Sequence, residues 1–179
     1  MSVLRVVSRK LAVVKFAVFS LSVSTSCIQA QSINENSIKA GYILRFIDFV
    51  RWEKPLENTV RIGLIGNENL LNELSSIAAK RSTPERSFEI VQIGSGLENL
   101  EDLHLIYINR GNREYWPEVF QASRESSVLT IGSEVGFLDE GGLVEFVSIK
   151  NRLRFSVNIE GVAEYNLTLS SKLIQLSVR

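Results

Sequence analysis

His104 is the only histidine of this chain and Cys27 its only cysteine. Histidine and cysteine, two of the side chains that most often serve as nucleophile, general base or metal ligand, are therefore each present only once. His104 has the one side chain whose ordinary pKa lies near neutrality. It directly precedes the apolar run Leu105–Ile108, and the sequence offers it no partner nucleophile or carboxylate, so its expected role is structural or at the surface. Ser170-Ser171-Lys172 invites a serine–lysine pair. Neighbours on a helix point about 100° apart, however, and Ser170 is better placed as a helix cap. Gly63-Leu-Ile-Gly66 follows an apolar run like a phosphate loop, yet lacks both the dinucleotide spacing and the Gly-Lys-Ser/Thr ending. It reads as a strand-to-helix turn. Asp139-Glu140, set between glycines, lacks the further carboxylates of a calcium loop and reads as an exposed acidic turn. A lone histidine and an isolated cysteine also leave no zinc set. No catalytic residue, cofactor-binding residue or metal ligand is expected.

What remains is recognition chemistry. Trp52, Tyr115 and Trp116 fall near the ends of predicted elements, and Phe137 and Leu138 lie in the glycine-bounded loop Gly136–Gly142. Aromatic side chains are enriched where partners bind most tightly. Trp52, Trp116, Phe137 and Leu138 are accordingly the candidate partner-binding residues. Core packing is the competing role for the aromatics.

The chain must also be delivered to its partner. Residues 1–30 carry Arg5, Arg9, Lys10 and Lys15 but no acidic residue, then the apolar run Phe16–Val23, then small and polar residues to Gln31. Basic, apolar and small segments in that order predict a cleaved secretory signal peptide over 1–30, with the mature domain at 31–179. The apolar run is shorter than the ~20 residues of a spanning helix. Cleavage after Ala30 leaves Gln31 first. Cleavage after Ser26 leaves Cys27 first, as in a lipoprotein, although Ser24 stands where such signals carry an aliphatic residue. Losing four leader cations from 20 basic and 20 acidic residues leaves 16 against 20, a net of −4. That balance argues against nucleic acid as a partner. With Cys27 in or beside the leader, the folded domain has no internal disulfide.

The apolar periodicity supplies the scaffold. Ile38, Tyr42, Phe46, Phe49 and Val50 share one face of a helix from about Asn36 to Trp52, stopped by Pro55, with Tyr42, Phe46 and Phe49 turned inward. Val60–Ile65 reads as a strand and Glu68–Lys80 as a helix. Phe88–Ile93 is a strand, and Leu97, Leu100 and Leu103 mark one side of a short helix. Leu105–Ile108 is a strand, Tyr115–Ser123 a helix with Pro117 in its first turn, and Val128–Ile131 a fourth strand. Leu143–Ile149 and Leu153–Asn158 form a hairpin turning at Lys150-Asn151. Asn158 caps a short helix that Asn166 ends in a left-handed conformation, and Ser170 caps a last helix through Leu176. Strands alternating with helices predict a single three-layer α/β domain. Its sheet has a four-strand parallel core, helices on both faces, and a C-terminal antiparallel hairpin.

Several segments together resemble one family. The helix Ile38-Lys-Ala-Gly-Tyr-Ile-Leu-Arg-Phe-Ile-Asp-Phe-Val-Arg-Trp52 and the strand Arg61-Ile-Gly-Leu-Ile-Gly66 are similar to the opening of YfiR-like periplasmic proteins. Val128-Leu-Thr-Ile-Gly132, Gly141-Gly142-Leu-Val-Glu-Phe146, Arg154–Ile159 and Leu169–Ile174 are similar to the rest, so the resemblance covers about residues 36–176. It departs where Glu53-Lys54 separates Trp52 from Pro55, where Asn166 replaces a usual glycine, and where paired cysteines are missing. The resemblance implies an exported, non-enzymatic repressor. Its partner would be the periplasmic sensor region of a membrane-bound diguanylate cyclase, or a sensor kinase. An outer-membrane lipoprotein would sequester it, and a second copy of the chain is a further candidate partner. The alternative is a periplasmic small-molecule sensor that uses the crevice at the carboxyl ends of the parallel strands.

Overall fold

The computed structural model describes residues 26–53 and 56–178, with side chains from Glu35 onward. The expected leader lies outside the described residues up to position 25, as does Pro55. Among the described residues no helix is long and apolar enough to cross a membrane.

Helix α1 spans Ser26–Phe49. Its buried face is Ala40, Ile43, Leu44, Phe46 and Ile47. The face is rotated from the expected one: Tyr42 and Phe49 are only half-buried, and Ile38 is exposed. The helix also ends three residues short of Trp52. Val50–Trp52 forms strand β1, which pairs antiparallel with Leu167–Leu169, here β8. The Phe49 carbonyl accepts from the Ser170 amide at 2.8 Å, which joins the two strands where the helix stops. The partner strand lies more than a hundred residues away in sequence.

The main sheet contains β2 (Thr59–Ile65), β3 (Ser87–Gln92), β4 (Leu105–Ile108), β5 (Leu129–Gly132), β6 (Val144–Ile149) and β7 (Arg152–Val157). Their order is β3-β2-β4-β5-β6-β7. Neighbours pair in parallel from β3 through β6, and only β7 runs antiparallel. The hairpin's first strand thus joins the parallel set and makes five parallel strands rather than four. Ile131 and Gly132 face Val144 and Glu145 in that pairing.

Alternate residues of each strand serve opposite faces. Val60, Ile62, Leu64, Leu105, Tyr107, Leu129 and Ile131 join α1 and α2 (Glu68–Arg81) in one core. Ile65, Ile106 and Ile108 join α3 (Trp116–Ser126) in a second. Leu97, Leu100 and Leu103 are buried in this second core as their spacing implies, but only Leu100–Asp102 is helical, as a single tight turn. Leu97 and Asn99 both adopt positive φ, which breaks any longer helix.

The C-terminal turn chemistry follows the sequence closely. Lys150 and Asn151 take φ of 50° and 58°, the paired left-handed residues of a two-residue hairpin. The Asn158 side chain holds the Gly161 amide at 2.9 Å ahead of the tight helix Gly161–Tyr165. Asn166 closes that helix at φ 51°. Ser170 caps α4 (Ser171–Leu176) by accepting from the Leu173 amide at 3.3 Å.

Candidate partner-binding corner

Three of the four candidate residues converge where β4 and β5 end. Parallel strands need a crossover, and β5 reaches β6 without a helix, through residues 133–143. Such a connection must satisfy its own backbone. The Phe137 amide donates to the Glu134 carbonyl at 3.2 Å, Glu140 to Gly136 at 3.2 Å, and Gly142 to Phe137 at 2.9 Å. Leu138 donates to the Glu145 carboxylate at 3.4 Å. The Leu143 amide, at the far end, donates to Thr130 Oγ1 at 3.0 Å. The Tyr165 hydroxyl pins the Gly141 carbonyl at 2.7 Å.

Phe137 plugs the connection to the domain. It is 0% exposed. Its ring meets Trp116 edge to face at a centroid distance of 5.2 Å and Phe120 at 5.1 Å. Positions 132 and 142 are both glycine, and a Cβ at either would overlap the Phe137 ring. Trp116 is equally buried, covered by the Arg113 guanidinium at 4.7 Å. Arg113 also pairs with Glu140 at 2.6 Å, which ties the start of α3 to the loop. Trp116 and Phe137 therefore build the corner from inside, and neither offers a free surface. Leu138 is half-buried. The corner's exposed tip is Val135, at 80%, followed by the acidic pair Asp139 and Glu140. Val135 escaped the sequence reading because its neighbours carry no periodic signal. Its exposure follows from Phe137 turning inward two residues later.

Trp52 is not part of this corner. It lines a separate cavity of about 420 Å³ with Leu56, Glu57, Arg61, His104 and Ser127. Those residues lie at the amino ends of β4 and β5, opposite the loop. The Trp52 indole N–H is buried without a hydrogen-bond partner among the described residues. His104 acts there as a joint: its Nδ1 accepts from the Arg61 amide at 3.1 Å. Its own amide donates to the Arg61 carbonyl at 2.9 Å, and its carbonyl accepts from Leu129 at 2.9 Å. Burial holds its pKa below the ordinary 6.5, partly countered by the nearby Glu57 carboxylate. Among the described residues no set of three or more His, Cys, Asp or Glu side chains is placed to hold a metal ion.

Strand order and crossover faces define a doubly wound α/β domain of the flavodoxin-like order, extended by one antiparallel edge strand. The profile of the YfiR/HmsC-like family matches residues 36–178, and the chain belongs to that family. The family is regulatory and points to periplasmic control of diguanylate cyclase signalling. No curated protein matches the chain. Among solved structures, a conserved domain protein from Vibrio cholerae O1 biovar El Tor is similar over 80% of this chain, at 10% identity and a TM-score of 0.57. The ABC domain in complex with L-Trp from Streptococcus pneumonia is similar over 77%, at 13% identity and a TM-score of 0.55. The chain spans 59% of the length of each. At those identities the likeness is one of fold.

Proposed function

We propose that this protein is an exported, non-enzymatic repressor of cyclic di-GMP signalling. It binds the periplasmic sensor region of a membrane-bound diguanylate cyclase, or of a sensor kinase, and holds the cytoplasmic output off. Family membership over residues 36–178 carries the reading. The physical logic is a partner that binds one conformational state of the sensor better than the other and so shifts the population. The tip at Val135, Leu138, Asp139 and Glu140 is the surface we assign to that contact. It combines one exposed aliphatic side chain with two carboxylates on a hydrogen-bonded turn. An outer-membrane lipoprotein that covers the same tip would relieve the repression.

The test begins with gene deletion, which should raise cyclic di-GMP and surface attachment. Complementation with Val135→Asp should fail to lower them, although the unfolding midpoint of the variant stays within ~0.5 kcal/mol of the parent. Removing a central anchor weakens an interface by about 2 kcal/mol, or roughly thirtyfold in Kd. Unchanged cyclic di-GMP in the deletion strain, with neither cyclase nor sensor kinase recovered from membranes, would end this reading.

A further inference from the structure

The sheet order places a second feature beside that corner. After β2 the chain crosses to β3 on one side, whereas β4 lies on the other side of β2. α2 packs on one face of the sheet and α3 on the opposite face. The connections that leave β2 and β4 therefore diverge and open a crevice at the carboxyl ends of these two strands. Open α/β sheets bind ligands at such a switch point. Here it forms an open, shallow depression of about 490 Å³.

The described side chains that line it are polar. Four asparagines (Asn36, Asn67, Asn69 and Asn109) and two glutamates (Glu35 and Glu68) form it, with Gly66 between them. Among the described residues no aliphatic or aromatic side chain takes part. Some of these groups are fixed by the fold. Asn109 donates to the Gly66 carbonyl at 2.9 Å and accepts from the Tyr107 hydroxyl at 3.1 Å. Asn67 accepts from the Leu70 amide at 3.0 Å. Tyr107 is braced in turn by Ser133 at 2.7 Å. Gly66 adopts φ of 79°, and a side chain there would strike Asn112. The cavity shape is therefore set by groups whose bonds are already made.

The remaining capacity faces the cavity. The Asn69 amide has no hydrogen-bond partner among the described residues, and the Asn67 Nδ2 reaches Asn36 Oδ1 only at 3.4 Å. Glu35 is held by the buried Lys39 ammonium at 2.8 Å, which offsets its charge. Glu68 is exposed with no cation against it among the described residues. Carboxylates accept, and amides both donate and accept. An apolar ligand finds no wall here, and an anion meets Glu68. Hydroxyl groups, which donate and accept at once, match the lining.

We propose that this crevice binds a small neutral polyhydroxylated molecule of monosaccharide size. The assignment is independent of the cyclase reading, because it concerns binding alone. Purified protein would be titrated calorimetrically with D-glucose, D-galactose, D-ribose and N-acetylglucosamine. Inorganic phosphate and glycine serve as the charged probes. At least one sugar should saturate with a Kd near or below ~1 mM. Asn69→Leu and Glu68→Gln should each weaken it about tenfold. Both positions are exposed, so thermal melting of the two variants should match the parent. Gln121→Ala, on the exposed side of α3, should leave binding unchanged. The proposal is overturned if no sugar saturates by ~10 mM. It is equally overturned if binding ignores both variants, or if phosphate or glycine binds and the sugars do not.

Discussion

The glycines around Phe137 make a quantitative prediction. The three atoms nearest a Cβ built at Gly132 all belong to the Phe137 ring, the farthest of them at 2.7 Å. Gly132→Ala should therefore overpack the site at a cost of ~1–3 kcal/mol. Phe137→Ala removes a fully buried ring that packs on Trp116 and Phe120, and should cost ~3–5 kcal/mol. For a domain of this size that corresponds to a fall in melting temperature of roughly 6–20 °C. The informative variant is the double one. Once the ring is gone, the new methyl occupies vacated space, so its penalty should vanish. Gly132 lies outside the positive-φ region, so alanine there adds no backbone strain. The double variant should be no less stable than Phe137→Ala alone, an interaction energy of about 1–3 kcal/mol. Gly142→Ala should behave differently. Its Cβ also comes within 2.7 Å of the Phe137 carbonyl oxygen, so removing the ring relieves only part of the cost. Urea unfolding of the five variants measures every term. Additive costs for Gly132→Ala and Phe137→Ala would show that the ring does not fill this space, and the plug would have to be abandoned. A regulatory defect in Phe137→Ala would also report on folding rather than on partner contact.

Two further predictions concern the opposite end of the sheet. Burial depresses the pKa of His104, so the folded protein binds that proton less readily than the unfolded chain does. The stability it contributes is complete above the ordinary value of 6.5 and is lost as pH falls through the folded value. The difference in urea midpoint between the parent and His104→Asn should therefore shrink from about pH 8 to about pH 5.5; a constant difference would contradict the assignment. Trp52→Phe removes an indole N–H that is buried without a partner among the described residues. The unfolding midpoint should hold or rise, since an unmade hydrogen bond costs ~1–3 kcal/mol; a clear fall would mean that this N–H has an acceptor.

The features legible in the sequence are those fixed by neighbouring residues. The Lys150-Asn151 turn, the left-handed Asn166 and the Ser170 cap each need only a few adjacent positions, and each stands where its residue type implies. The alternation of strands and helices was equally visible. Features set by distant partners were not. Nothing near Val50–Trp52 announces a strand, because its partner is Leu167–Leu169. Leu97, Leu100 and Leu103 have helical spacing because they share a buried side, yet Asn99 and Leu97 turn left-handed between Gly96 and Leu100. The inward turn of Phe137 within the candidate loop was hidden for a related reason. A glycine-rich loop implies exposure, but Gly132 and Gly142 are small because the Phe137 ring lies against them. The signal that would have revealed it was Trp116 and Phe120 at helical i, i+4 spacing, an aromatic pair in need of a third ring.

That packing bears on the recognition surface proposed for this turn. A loop that orders only on contact charges its partner for the ordering, at ~0.5–1.5 kcal/mol for each immobilised side chain. Here the connection between β5 and β6 is already held by the Phe137 plug, by the Tyr165 and Glu145 hydrogen bonds, and by the Arg113–Glu140 pair. Val135 is thus displayed on a backbone that gives up little freedom on binding. The same loop begins at Ser133, whose hydroxyl braces Tyr107 beneath the asparagine-lined crevice, and Glu134 accepts from the Gly111 amide at 2.9 Å. Tip and crevice therefore meet at the end of β4. A ligand that shifted Asn109 would press first on Tyr107 and, through it, on Ser133, where the displayed turn departs.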